Sequence, residues 1–69
     1  MRKQNARVKV VRKERNMSQK ILADKVGCTQ SMISRIESGE KIPSDKLKIL
    51  LSKVLGKNIE WLFFQSKYD

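Results

Sequence analysis

Residues 19–38, QKILADKVGCTQSMISRIES, hold the residue types that two short helices crossing at a tight turn require. Leu22 and Val26 are apolar and four apart, and Ile33 and Ile36 are apolar and three apart, so each pair lies on one helix face. Gly27 falls between the pairs, where a residue at ease in the left-handed conformation ends one helix and re-aims the chain. Thr29 stands where it can cap the next helix. Ala23 completes the unit, because helices meeting at roughly 90–120° over so short a turn leave no space for a large side chain at the crossing.

Outward from this unit, the spacing predicts five helices and no strand, an all-α chain forming one domain over residues 1–69. The first helix covers about 4–15, with Val8 and Val11 inward and Arg12 beside them. Asn16 ends it in the left-handed conformation, and Met17 turns back toward the core. Ser18 caps a helix over about 18–26, and the next runs over about 29–38 to a stop at Gly39. Pro43 holds Ile42 extended, Ser44 caps, and Asp45 suits the positive end of a helix dipole. The helix that follows, about 44–55, carries Leu47, Leu50, Leu51 and Val54 as an apolar stripe and ends at Gly56. Asn58 caps a last short helix, about 58–64, with Ile59, Leu62 and Phe63 inward, and the polar tail beyond it frays.

A chain of 69 residues buries only about 60% of the surface its unfolded form exposes, and such domains often gain burial by dimerising. One cysteine cannot form an internal bridge, and the lack of histidine removes the commonest metal ligand and general base. These features predict a reducing, cytoplasmic setting, no metal, no cofactor and no small-molecule ligand. An enzyme is disfavoured: there is no glycine-rich phosphate loop and no cluster of carboxylates. No apolar run approaches the ~18 residues of a membrane span, and the basic start lacks the apolar core of a signal peptide.

Sixteen Lys and Arg against seven Asp and Glu give a net charge of +9, which points to a polyanion as partner. The bias is strongest early, where Arg2, Lys3, Arg7, Lys9, Arg12, Lys13, Arg15 and Lys20 are opposed within that segment only by Glu14. A solvated basic face is the plainer alternative, but here the charge adjoins a helix pair suited to a DNA groove. With Ile33 and Ile36 inward, Gln30, Ser31, Ser34 and Arg35 lie on or beside the opposite face of the third helix. An α-helix fits the major groove, where a glutamine amide matches adenine N6 and N7 and an arginine fork matches guanine O6 and N7. Gln30 and Ser31 can equally be ordinary first-turn polar residues, and Arg35 can bind a phosphate or a carboxylate. Met32 has two roles open to it, a thymine methyl or packing. Ser18, Gln19 and Lys20 on one side, and Thr29, Lys41 and Ser44 on the other, are placed to hold phosphates. Cys28 reads as a small buried hydrophobe near the turn.

The stretch VVRKERNMSQKILADKVGCTQSMISRIESGEKIPS, with the tail LKILLSKVLGKNIEWLF, resembles the Cro and phage-repressor (XRE-type) helix-turn-helix family over about residues 7–64. The resemblance implies a five-helix, lambda-repressor-like fold with the helix-turn-helix at the second and third helices. It also implies a cytoplasmic, nucleoid-associated transcriptional regulator, bacterial or phage-encoded, that binds a roughly palindromic double-stranded operator as a homodimer, most simply a stand-alone repressor. In the family, the glutamine at the Gln30 position often reads adenine, and the one at Gln19 supports it while touching a phosphate. The family also pairs the arginine at the Arg12 position with the glutamate at the Glu37 position as a structural brace, and it often builds its two-fold contact near Trp61 and Phe64. Ordinary core packing is the alternative for those aromatic rings. Asn16, where the family often has glycine, and the Lys48–Leu51 segment KILL are departures from the pattern. A protein-interaction module of the same fold, such as an antitoxin, is the competing function.

Overall fold

A computed structural model describes residues 6–63, which fold as five helices: α1 (Ala6–Glu14), α2 (Gln19–Val26), α3 (Gln30–Ser38), α4 (Asp45–Leu55) and α5 (Ile59–Phe63). Three of them start on a hydroxyl. Ser18 Oγ accepts from the Ile21 N–H, Thr29 Oγ1 from Met32 and Ser44 Oγ from Leu47, at 3.1, 3.1 and 3.2 Å. Each bond satisfies one of the amide groups that a helix start leaves without a backbone partner. Asn58 Oδ1 does the same for the Glu60 N–H at 2.7 Å.

The helix ends follow the same logic. Asn16 is the one non-glycine among the described residues with positive φ, at 58°. Its N–H bonds the Lys13 carbonyl and the Met17 N–H bonds that of Arg12, the paired closure by which a left-handed residue ends a helix. Asparagine tolerates this conformation because its short polar side chain can bond locally. Gly27 takes φ 76° between α2 and α3 and sends the Cys28 N–H back to the Ala23 carbonyl at 3.0 Å.

The core draws on every helix: Val8 and Val11 from α1, Leu22, Ala23 and Val26 from α2, Ile33 and Ile36 from α3, Leu51 and Leu55 from α4, and Leu62 from α5. Each large aliphatic side chain so buried contributes about 1.5–3 kcal/mol. α2 packs on α3 with Ala23 buried, while α4 packs against α2, α5 and α1.

The apolar stripe of α4 sits slightly off its expected line. Leu51 is buried, but Leu47, Leu50 and Val54 are half-buried, and Leu55, outside the expected stripe, is completely buried. A helix wedged between α2 on one side and α5 on another buries a broader, rotated arc than a single stripe describes. Cys28 is half-buried rather than buried, since the turn it occupies lies at the surface. Of α5, Leu62 is buried and Ile59 and Phe63 are half-buried. The expected extension of the first helix to residues 4 and 5, the last residue of the fifth helix, Phe64, and the fraying tail lie outside the described residues.

Candidate nucleic-acid interface

The caps and the core together determine what α3 shows to solvent. Ile33, Ile36 and Glu37 are buried, which leaves Gln30, Ser31, Ser34 and Arg35 exposed at the positions between them. Residues 30 and 34, and 31 and 35, are four apart, so the four side chains share one face. Met32 is half-buried and packs against the core. Among the described residues, Arg35 has no carboxylate at ion-pair distance.

The Arg35 carbonyl gathers the chain after α3. It accepts from the Ser38 hydroxyl at 3.0 Å and from the backbone N–H groups of Glu40 at 2.9 Å and Lys41 at 3.2 Å. The exposed Lys41 is thereby fastened beside the end of α3. Ile42 follows as the most exposed large apolar side chain among the described residues, at 79%, while Pro43 is buried.

Ser18, Thr29 and Ser44 are exposed, and each spends an oxygen lone pair on its cap. A hydroxyl that accepts in this way keeps its own O–H as a donor, so each of the three helix starts offers a donor beside amides suited to anions. Lys20 Nζ lies 3.4 Å from Asp24 Oδ2 in a pair whose side chains are 72% and 68% exposed. Solvent screens such a pair strongly, so its hold on the lysine is weak.

Gln19 points elsewhere than a phosphate contact alone suggests. It is half-buried, and its Nε2 donates to Glu37 Oε1 at 3.1 Å. Glu37 is also held by Arg12, whose Nε donates to Oε2 at 2.7 Å and whose Nη2 donates to Oε1 at 3.2 Å, with both side chains under a tenth exposed. Arg12 Nη1 adds a bond to the Met17 carbonyl at 2.8 Å. Among the described residues, no buried side-chain nitrogen or oxygen lacks a partner. The resemblance implied the Arg12–Glu37 contact. The link from Glu37 to Gln19 had no sequence signal beyond a polar residue at the first position of α2.

At the far end, Trp61 is half-buried beneath two cations, with the Arg7 guanidinium carbon 4.9 Å and Lys57 Nζ 5.6 Å from the ring centre. Arg7 Nη1 also donates to the Trp61 carbonyl at 2.7 Å. Phe64, paired with Trp61 in the expected two-fold contact, lies outside the described residues. Burial pushes the Cys28 thiol above its ordinary range. No group of His, Cys, Asp and Glu among the described residues could hold a metal, and no helix there is long and apolar enough to cross a membrane.

The sequence matches the helix-turn-helix family over residues 8–62. Among solved structures, the fold is similar to that of the P22 c2 repressor in complex with synthetic operator 9T, at 29% identity and a TM-score of 0.84, covering 86% of this chain and 89% of that one. It is similar also to the restriction-modification controller protein C.AhdI from Aeromonas hydrophila, at 25% identity and a TM-score of 0.79, with the same coverage of both chains. No curated protein gives a significant match. A match spanning most of the chain, on a fold that buries α3's apolar side and exposes its polar one, places this chain in the helix-turn-helix family of DNA-binding transcription regulators, of the Cro and phage-repressor type.

Proposed function

We propose that the protein is a sequence-specific repressor that binds a roughly palindromic DNA operator as a homodimer in the bacterial cytoplasm. One observation carries the reading: the exposed face of α3 presents Gln30, Ser31, Ser34 and Arg35 together, just after the capping hydroxyl of Thr29. Inserted in a major groove, Gln30 pairs with adenine and Arg35 with guanine, each good bidentate contact discriminating by about 1–3 kcal/mol. Ser18, Gln19, Lys20, Thr29, Lys41 and Ser44 hold the flanking phosphates, which orient the helix without carrying sequence information.

The likeness to a repressor bound to its operator supports this assignment. A two-fold dimer built through Trp61 and Phe64 sets the two recognition helices about 34 Å apart, one turn of DNA. DNase footprinting over the gene's own upstream region tests the whole reading. Two protected half-sites with two-fold symmetry and one-turn spacing are expected, and equal affinity for every duplex overturns it.

A further inference from the structure

The ion pair behind α3 also reaches the start of α2. Glu37 has two carboxylate oxygens and three donors: Oε2 takes Arg12 Nε, while Oε1 is shared between Arg12 Nη2 and Gln19 Nε2. A carboxylate so engaged only accepts, so Gln19 must turn its NH2 group inward, because the opposite orientation would set its carbonyl oxygen against a negative charge. One N–H of that nitrogen is then spent on Glu37 and the second remains. Arg12 fixes the backbone at the same place, since its third bond goes to the carbonyl of Met17, the residue before the Ser18 cap.

We propose that Glu37 is a positioning residue for DNA binding: it locks the Gln19 amide in one orientation so that the second N–H on Nε2 serves a backbone phosphate. This rests on the operator-binding reading above, and it adds that a buried residue near the end of the recognition helix governs a phosphate grip made from a different helix. Base reading by α3 and phosphate holding by α2 are therefore set by one shared carboxylate. A purely structural brace would stabilise the domain and leave the Gln19 contact to itself.

A double-mutant cycle on the full chain with Glu37→Gln, Gln19→Ala and the double variant separates the two. Operator affinity is measured well below the lowest melting temperature of the set. Glu37→Gln keeps the shape but makes the amide orientation ambiguous, and each single variant is expected to lose about tenfold in affinity, the size of one charge-assisted hydrogen bond. The double variant should be little worse than either single, and the salt slope should fall by about one contact in all three. Losses that multiply, or a Glu37→Gln protein that melts earlier but binds as before, overturn the proposal.

A second measurement needs no Glu37 variant. In the wild-type protein, the Gln19 side-chain NH2 protons, assigned by their loss in Gln19→Ala, should split into one slowly exchanging proton and one that shifts when operator is added. Two solvent-like protons that ignore the operator overturn it as well. A wild-type protein that cannot tell operator from random duplex refutes the repressor reading itself, whereas specific binding with independent mutant effects refutes only the role of Glu37.

Discussion

The guanidinium of Arg12 on α1 and the carboxylate of Glu37 on α3 meet side by side in two hydrogen bonds, 2.7 and 3.2 Å long, with side-chain exposures of 8% and 4%. Removing one partner strands a buried charge, which costs about 3–5 kcal/mol. Small domains have a total stability of about 5–15 kcal/mol, so Glu37→Ala should bring this one near the edge of unfolding. Replacing both partners by apolar residues, Arg12→Met with Glu37→Leu, should recover most of that loss. Thermal melts followed by circular dichroism check both, and an unchanged melting temperature in Glu37→Ala would remove the brace from the account.

The Lys41 N–H is tied to the Arg35 carbonyl, yet the expected roles of the two side chains differ. Arg35→Ala should lose about 1–3 kcal/mol of operator affinity and relax the preference at one base pair. Lys41→Ala should weaken binding to all duplexes alike and reduce the salt slope by about one unit. Titrations against an operator and a scrambled duplex over a salt series distinguish them. A specificity change in Lys41→Ala, or none in Arg35→Ala, would reverse the assignments.

The ring of Trp61 is half-buried under Arg7 and Lys57, and we expect its remaining surface to meet a second copy. Sedimentation equilibrium should show a concentration-dependent dimer, weakened in Trp61→Ala. A wild-type protein that stays monomeric at high concentration, with operator and without, excludes the two-fold arrangement.

Burial raises the pKa of the Cys28 thiol, so the folded protein keeps its proton to higher pH than the unfolded chain does. This thiol therefore leaves stability unchanged below the ordinary thiol range and lowers it as pH climbs from there through the raised value. Iodoacetamide at mildly alkaline pH should therefore alkylate native Cys28 more slowly than the same residue in urea. Equal rates in the two states would mean that the thiol is not desolvated.

Local rules made most of the fold legible. Ser18, Thr29 and Ser44 each stand just before an apolar periodicity, and Asn16 and Gly27 stand just after one, so the helix limits follow from backbone groups that need a partner nearby. The exposed face of α3 was legible for the same reason, as the remainder once Ile33 and Ile36 turn inward. Bonds between distant parts of the chain were not. Arg15 Nε donates to the Leu55 carbonyl at 2.8 Å, closing the end of α4, and nothing periodic in either segment marks it. The link from Gln19 to Glu37 is hidden similarly, because a glutamine at a helix start looks the same whether it faces solvent or a buried carboxylate.

Arg7 and Trp61 are 54 positions apart, yet a 2.7 Å hydrogen bond and a cation over the ring join them, which ties the first described helix to the last. One arginine side chain thus latches the two ends of the described chain together. A linker joining residues 6 and 63, with new ends opened in the exposed loop at Ile42, should give a permuted protein that keeps every described helix in its place.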